Sequence, residues 1–263
     1  MNEATAAKEA NITVTRDGHL AYIRLASMTM TPQFIVDFAA TIDELEKDIE
    51  VRVILLLGHS DKVFFAGYNL ELFQSATSLS AVKGNVLETQ EAMDRVEQCS
   101  KPVIAIVDGY ALGAGFELIL ACDLAIASDR ARFGFPETRL GLIPAAGGTM
   151  RLPRRVGKNL AMEIILTGNR FTARQALEMG LVNRVVSQEE LLAEAEAIAR
   201  SIACNAPRAV RMAKKSIMYW ETLLDKQVTM VTLENVLSCL LTEDLQEGVR
   251  AFLEKRAPVF QDK

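Results

Sequence analysis

Hydrophobic and polar residues alternate in two short segments near the start of the chain. These segments, NITVTR at 11–16 and LAYIRL at 20–25, flank Asp17-Gly18, a dipeptide typical of tight turns. From Pro32 to about Asp48 the apolar residues instead recur at helical spacing, on a stripe formed by Phe34, Ile35, Phe38, Ile42, Leu45 and Ile49. The pattern therefore predicts an opening β-hairpin followed by an amphipathic helix.

Three continuous apolar runs follow. They are VRVILLL at 51–57, PVIAIV at 102–107 and CDLAIA at 122–127. Such runs are typical of parallel strands that are buried on both faces, with helices between them. Helices are predicted around these strands, the last with Thr172 as its N-cap: 80–99, 114–121, 158–166 and 172–179. The predicted fold class is therefore α/β.

Strand patterns stop after about residue 188, and the rest of the chain has the spacing of amphipathic helices. The helices predicted there are 188–204, 207–220, 224–242 and 244–255. This change predicts a core domain over residues 1–200 and a C-terminal helical region over 201–263. Because a helical appendage often packs on a neighbouring subunit, we expect this region to support oligomerisation.

Composition and charge exclude several classes of protein. Of the 263 residues, 50% are hydrophobic and 24% are charged, which is typical of a globular chain with a sizeable core. The net charge of -5 disfavours a nucleic-acid surface, although a local basic patch could hold a small phosphorylated ligand. The chain has neither an apolar signal segment nor the roughly 18 apolar residues of a membrane span. We expect a soluble, cytoplasmic protein that binds neither nucleic acid nor a membrane.

Several common catalytic motifs are missing from the sequence. There is no GxSxG or GxxxxGK[ST] motif, and the residues after Gly113-Ala114-Gly115 do not complete a dinucleotide-binding fingerprint. His19 and His59 lack metal-ligand spacing, so we expect structural or solvated histidines and no metal site. The cysteines show no CxxC spacing and are predicted to be reduced core residues: Cys99, Cys122, Cys204 and Cys239.

Two glutamates stand in apolar, glycine-rich surroundings. Glu117 lies in YALGAGFELILACDLAIAS at 110–128, and Glu137 lies in RFGFPETRLGLIPAAGG at 132–148. Desolvation raises the pKa of a carboxyl group toward the pH at which proton transfer is most effective, which favours paired acid–base chemistry. The structural alternative is that Glu117 caps or pairs within a helix and Glu137 pairs with Arg139 on the surface.

Two glycine loops are candidate sources of backbone donors. Gly113-Ala114-Gly115 follows a predicted strand and opens a helix, so its N–H groups lie at the positive end of the helix dipole. The segment VFFAGYNL at 63–70 follows the strand 51–57 and also carries a glycine before a helix-like segment. The two loops could each give one N–H to the same oxygen, or they could be ordinary turns.

Five segments together resemble the enoyl-CoA hydratase/isomerase (crotonase) superfamily. In chain order they are FFAGYNL, KPVIAIVDGYALGAGFELILACDLAIAS, FGFPETRLGLIPAAGGTMRLPRRVG, AMEIILTGNRFTARQALEMGLVNRVV and EGVRAFLEKRAPVF, spread over about residues 50–260. The resemblance implies a crotonase-like spiral of repeated ββα units with a C-terminal helical trimerisation region. It also implies a homotrimer or a dimer of trimers.

The resemblance further implies an acyl-CoA substrate and assigns roles by position. The N–H groups of Tyr68 and Ala114 would form an oxyanion hole for the thioester oxygen. Glu117 and Glu137 would hold and activate a water molecule, and Glu137 would deliver a proton to C2. Coenzyme A is then part of the substrate, and no metal or other cofactor is expected.

Four further positions match residues that contact CoA or substrate in the family. Ala66 corresponds to the residue whose carbonyl contacts the adenine, and Gly67 lies next to it in the same loop. Phe252 and Lys255 correspond to C-terminal residues that approach the CoA of a neighbouring subunit. Lys255 could equally be a solvated helix charge.

The sequence departs from the family pattern in several places. The segment LASMTMTPQF at 25–34 replaces the usual Asn-Arg-Pro and Asn-Ala-Leu motifs. Tyr68 replaces a small residue, Ala114 replaces a common glycine, and Glu71 replaces a lysine. These differences suggest an altered acyl pocket, one suited to an unusual acyl group such as a cyclic one.

The leading prediction is hydration of a 2-enoyl-CoA, or the reverse dehydration. The first alternative keeps the fold and CoA but isomerises a double bond, or hydrolyses or cleaves a cyclic acyl-CoA. The second is a non-catalytic member of the superfamily that binds RNA or acts as a scaffold. The net charge of -5 and the presence of both glutamates argue against that second alternative.

Overall fold

The computed structural model describes residues 11–69, 79–220, 238 and 242–263. The described strands are β1 Ile12–Asp17, β2 Leu20–Leu25, β3 Val53–Leu57, β4 Val63–Phe65, β5 Val103–Val107, β6 Tyr110–Leu112, β7 Leu124–Ser128, β8 Arg132–Gly134, β9 Arg170–Thr172 and β10 Arg184–Val186. The described helices are α1 Pro32–Lys47, α2 Leu79–Gln98, α3 Ala114–Ala121, α4 Gly148–Val156, α5 Lys158–Thr167, α6 Ala173–Glu178, α7 Leu191–Ala203, α8 Pro207–Trp220 and α9 Glu243–Glu254. A 3₁₀ helix spans Pro136–Leu140.

The strands form a large sheet and a small sheet. The large sheet has the order β1-β2-β3-β5-β7-β10 and is parallel except for the antiparallel β1–β2 pair. The small sheet has the order β4-β6-β8-β9 and is parallel except for the β8–β9 pair. Each repeat places one strand in each sheet and then forms a helix, as in β3-β4-α2 and β5-β6-α3. This arrangement is the predicted spiral of ββα units.

Alternate side chains of the large sheet face two different hydrophobic cores. Ile54 and Leu56 of β3 pack in the main core, together with buried residues of α1, α2 and α3. Val53 and Leu55 of the same strand face a second core that α7 covers. Because both faces are buried, the strand is a continuous apolar run rather than an alternating one. Burial of each such side chain contributes about 1.5–3 kcal/mol to the free energy of unfolding.

The predicted opening hairpin and first helix are confirmed. β1 and β2 pair in antiparallel register, and α1 begins after Thr31, whose side chain accepts a hydrogen bond from Phe34 N–H. The assignment of Ile49 to the buried stripe is wrong, because Ile49 lies beyond the end of α1 and is 86% exposed. Thr172 caps α6 as predicted, in a capping box with Gln175.

Five short strands and one helix were not expected from the sequence pattern. The strands β4, β6, β8, β9 and β10 have three residues each, which is too short for a hydrophobic period to be visible. Helix α4 begins with a glycine and contains Pro153, two residues that usually argue against a helix. These elements form through pairing and packing with distant parts of the chain.

Helix α7, the first of the helices predicted after residue 188, packs in the second core. Helix α7 packs four residues against the large sheet, and it runs through residue 200, the predicted domain boundary. That boundary stays a prediction. The predicted helices 207–220 and 244–255 are observed as α8 and α9, whereas 224–242 lies almost entirely outside the described residues. None of the described helices has the length and apolar character needed to cross a bilayer.

The cysteines fall into two groups. Cys99 and Cys122 are buried free thiols, as predicted. Cys204 is also a free thiol but is exposed, because it lies at the end of α7, so its assignment to the core is wrong. Cys239 lies outside the described residues.

Candidate active site

Glu117 lies in the first turn of a helix that is buried on every side. Helix α3 begins at Ala114, directly after β6, and all eight of its residues are buried. Glu117 is only 2% exposed. A carboxylate in the first turn interacts favourably with the helix dipole, which offsets part of the cost of burying it.

The Glu117 side chain is held by a loop from a distant part of the sequence. Ala146 N–H and Gly148 N–H donate to Glu117 Oε1 at 2.8 and 2.7 Å. Burial raises the pKa of Glu117 from 4.5 to about 7, the bond from Gly148 opposes this shift, and the charge of Glu137 adds to it. The alternative in which Glu117 caps or pairs within its own helix is therefore wrong.

Glu137 lies in the 3₁₀ helix that follows β8. The residue is half-buried, and its Oε2 is buried without a hydrogen-bond partner among the residues that the structure describes. Burial raises the pKa of Glu137 from 4.5 to about 7. Arg139 does not pair with Glu137, because its guanidinium donates to Thr167 O at 3.1 Å and to the side chain of Asn169. The structural alternative for Glu137 is therefore also wrong.

The two carboxyl groups lie close enough to interact electrostatically, and Glu137 lies beside the start of α3. A Cβ added to Gly113, the residue before the helix, would lie 2.9 Å from Glu137 Oε1. The negative charge of Glu137 also raises the pKa of Glu117. Because neighbouring like charges disfavour double ionisation, the pair tends to hold one proton near neutral pH. Such a pair contains an acid and a base at the same time.

The loop around Gly67 runs beside the start of α3. Met30 N–H donates to Gly67 O at 2.8 Å, and Asn69 N–H donates to Met30 O at 3.0 Å. In this parallel bridge the N–H of the middle residue, Tyr68, points away from Met30. A Cβ added to Gly67 would lie 3.5 Å from the nitrogen of Ala114, so the two predicted donor loops are neighbours. Gly67 has a φ of +102°, which a side chain would strain.

The position of Ala114 at the start of α3 leaves its backbone N–H without an acceptor inside the helix. The Tyr68 ring is half-buried and packs on the main core. Burial raises the pKa of its phenol, a hydrogen bond with Asn85 of α2 lowers it, and the charge of Glu88 raises it.

The residues expected to contact CoA are only partly accounted for. Ala66 is exposed beside the buried Gly67, at the rim of the site. Lys255 is exposed just after α9, and no described contact joins it to the loops that carry the glutamates. The side chain of Phe252 and the whole of Glu71 lie outside the described residues.

The sequence did not reveal which residues hold the Gly67 loop and the loop that binds Glu117. Met28 O accepts from Ala66 N–H at 2.9 Å, so the atypical segment before α1 holds the Gly67 loop in place together with Met30. The Gly147-Gly148 pair was a visible signal for the loop that binds Glu117, since paired glycines indicate a close backbone approach. No group of three or more metal-ligating side chains occurs in the part of the chain that the structure describes.

A family model described as enoyl-CoA hydratase/isomerase matches residues 16–263. The chain belongs to the enoyl-CoA hydratase/isomerase family. A short-chain-enoyl-CoA hydratase of Clostridium acetobutylicum is 36% identical over 251 residues, which are 94% of this chain and 95% of that protein. A crotonyl-CoA hydratase of Syntrophomonas wolfei is 34% identical over 258 residues, 96% of this chain and 98% of that protein.

Solved structures agree with this family assignment. The crystal structure of an enoyl-CoA hydratase from Bacillus anthracis matches with a TM-score of 0.93 and 36% identity, and the match covers 97% of this chain and 100% of that one. An enoyl-CoA hydratase from Geobacillus kaustophilus matches with a TM-score of 0.93 and 32% identity, over 98% of each chain. The family resemblance and the crotonase-like fold expected from the sequence are therefore confirmed.

Proposed function

We propose that this enoyl-CoA hydratase/isomerase family member adds water across the 2,3 double bond of a 2-enoyl-CoA thioester, or removes it in the reverse direction. The observation that carries the proposal is the pair Glu117 and Glu137, two electrostatically interacting carboxyl groups whose pKa values are both raised to about 7. Hydration needs a base for the water and an acid for C2, and a pair that shares one proton supplies both.

The proposed oxyanion hole consists of the N–H groups of Tyr68 and Ala114. Its support is the closeness of the Gly67 loop to the nitrogen of Ala114, together with the positive end of the α3 dipole at that nitrogen. Addition at C3 transfers negative charge to the thioester oxygen. A preorganised N–H directed at such an oxygen lowers the barrier by about 3–4 kcal/mol.

The two glutamates take different roles in the proposed mechanism. Glu117, held by two N–H groups, orients the water as a hydrogen-bond acceptor. Glu137 helps to hold the same water and then delivers a proton to C2 through its uncommitted Oε2. The hydroxyl of the water adds to C3, and the ionised carboxyl group of the pair takes the proton that the water loses. The pair then again holds one proton, and the product is a 3-hydroxyacyl-CoA. The chemistry uses only acid–base groups and backbone donors, and we propose no cofactor besides the CoA of the substrate.

The proposed substrate is a short enoyl-CoA. Two of the relatives are named for short-chain-enoyl-CoA and for crotonyl-CoA. The bulky Tyr68 next to a proposed oxyanion donor supports a restricted acyl pocket. The Tyr68 ring is half-buried and packs on the main core, which limits its freedom to move aside.

We also propose assembly into a homotrimer or a dimer of trimers. Exposed apolar side chains occur on the 3₁₀ helix, the loop after it, α4 and α5: Leu140, Ile143, Met150, Met162 and Leu166. Large apolar groups on adjoining elements are typical of a surface that another subunit covers. A neighbouring copy could then bring Phe252 and Lys255 to the CoA, where Lys255 would act as a point charge for a phosphate.

Turnover of crotonyl-CoA by the purified protein tests the proposal, measured as loss of the conjugated thioester absorbance. The wild type should consume the substrate, and Glu163→Gln, an exposed glutamate on α5, should do so at the same rate. The Glu117→Gln/Glu137→Gln double variant should be inactive. Conversion of a 3-enoyl-CoA that survives Glu117→Gln, with no hydration, would instead establish isomerisation.

A further inference from the structure

The loop that holds Glu117 is itself held by residues outside the proposed chemistry. Each N–H that donates to Glu117 belongs to a peptide group whose carbonyl oxygen accepts another hydrogen bond. The N–H of Ala146 and the carbonyl of Ala145 belong to the same peptide group. This carbonyl accepts a hydrogen bond from Gln90 Nε2 at 2.7 Å. Both ends of this peptide group are therefore engaged, which strengthens each bond.

The second donor peptide is held in a similar way. The N–H of Gly148 shares its peptide with the carbonyl of Gly147, which accepts from the backbone N–H of Arg151 at 2.7 Å. The Arg151 side chain turns back to the same loop, where Nη1 donates to Ala146 O at 3.1 Å. A Cβ on Gly147 would lie 1.9 Å from this Nη1, so the loop and the guanidinium are in close contact.

The buried guanidinium of Arg151 is connected to α2 by two ion pairs with partly exposed carboxylates. Its side chain is 2% exposed, and Nη2 donates to Asp94 Oδ1 at 2.5 Å and to Glu97 Oε2 at 2.8 Å. Gln90 lies on the same helix, about one turn before Asp94. Helix α2 therefore holds the Glu117 loop at two points, directly through Gln90 and indirectly through Arg151.

We propose that Gln90 and Arg151 are positioning residues that keep the N–H groups of Ala146 and Gly148 directed at Glu117. Among the described residues, neither side chain forms a hydrogen bond with Glu117 or Glu137. Gln90 acts through the backbone of the 145–148 loop, and Arg151 acts both through this backbone and through its charge. The effect on turnover rests on the proposed hydration, whereas the effect on the Glu117 carboxyl group does not.

The proposal determines the direction of the change at Glu117. Burial raises the pKa of Glu117, the loop bonds lower it, Glu137 of the 3₁₀ helix raises it, and Arg151 of α4 lowers it. Hydrogen bonds to the ionised form stabilise that form, so a loop that no longer directs its N–H groups at the carboxylate raises the pKa further. Loss of the Arg151 charge acts in the same direction.

The test compares Gln90→Met and Arg151→Met with two matched controls. Gln98→Met makes the same change at an exposed position of α2, and Arg174→Met removes an exposed surface arginine of α6. Infrared difference spectroscopy follows the carboxylic acid band that Glu117→Gln removes, as a function of pH and without substrate. Crotonyl-CoA kinetics gives kcat and KM for the same variants.

Both test variants should raise the titration midpoint of Glu117 by about one pKa unit. They should lower kcat by about 10- to 100-fold with KM changed less than about twofold, while both controls behave like the wild type. A Glu117 titration that is unchanged in Gln90→Met, even with a lower melting temperature, overturns the proposal. Gln90→Met decides alone if Arg151→Met does not fold. If the wild type does not hydrate crotonyl-CoA, the hydratase proposal fails, and the infrared titration still decides the roles of Gln90 and Arg151.

Discussion

Glu117 and Glu137 occupy one site but are held in opposite ways. Glu117 is buried and accepts two hydrogen bonds from a loop that other residues hold. Glu137 is half-buried, and one of its oxygens has no partner among the described residues. A carboxyl group that is fixed by donors is suited to orient a water molecule, whereas a carboxyl group with an uncommitted oxygen is suited to transfer a proton. The difference in bonding therefore indicates a division of labour.

Similar pKa values in the two groups hide this difference. Burial raises the pKa of both carboxyl groups to about 7. At Glu117 the loop bonds oppose a larger desolvation, while at Glu137 only a bond to its own backbone opposes a smaller one. Glu117 thus reaches this pKa in a deeply buried site where loop hydrogen bonds partly offset the burial. Glu137 reaches it in a more exposed site with fewer hydrogen bonds.

Glu137→Gln should have the largest effect on turnover. The variant removes the proton donor to C2, and a positioned acid or base contributes up to about 10⁴-fold. We expect kcat for crotonyl-CoA to fall by about 10³- to 10⁴-fold. Single-turnover rates with saturating substrate check this, and a loss below about tenfold would remove Glu137 from its proposed role.

Glu117→Gln should have a smaller effect. The amide oxygen of Gln can still accept from Ala146 and Gly148, so the loop stays in place while the charge that orients the water is lost. We expect kcat to fall by about 10²- to 10³-fold with an unchanged melting temperature. A variant as active as the wild type would separate Glu117 from hydration and would favour isomerisation.

Replacement by leucine should lower the free energy of unfolding more at Glu117 than at Glu137. Glu117→Leu leaves two buried N–H groups without an acceptor, which should lower the free energy of unfolding by about 3 kcal/mol. Glu137→Leu removes a carboxyl group with an uncommitted oxygen and should change it by less than about 1 kcal/mol. Urea unfolding of both variants measures the difference, and equal losses would contradict the contrast.

The pH dependence of stability should reveal the raised pKa of Glu117. Between the unfolded value of 4.5 and the folded value of about 7, the folded state binds more protons than the unfolded state. Stability should therefore fall as the pH rises through this window, by about 3 kcal/mol from this group. Urea midpoints across the window should follow this slope for the wild type and a flatter one for Glu117→Gln. Identical slopes would contradict the raised pKa.

The sequence predicted the elements that local pattern determines. The hairpin, α1, α3 and the buried strands follow from hydrophobic spacing and turn residues, and the two glutamates stood out as charges in apolar segments. The end of α1, predicted at about Asp48, agrees with the observed end at Lys47, and only the extension of the buried stripe to Ile49 was wrong. Strands of three residues could not be predicted because pairing with distant strands creates them.

The partners of Glu117 could not be predicted for a related reason. Ala146 and Gly148 are 29 and 31 residues away from it, and Gln90 is 55 residues from the carbonyl that it binds. Backbone donors and carbonyls carry no side-chain signature, so only the folded arrangement identifies them. The Gly147-Gly148 pair indicated a close approach but not which group approaches.

Hydration of crotonyl-CoA in heavy-oxygen water, followed by mass spectrometry of the acyl-CoA product, shows directly whether Glu117 and Glu137 add water to the substrate. With the wild type we expect a 3-hydroxyacyl-CoA that carries one heavy oxygen atom, and with Glu137→Gln we expect the label to appear at least about 10³-fold more slowly. A wild-type product without label, or labelling at an equal rate in Glu137→Gln, would contradict hydration by this pair of carboxyl groups.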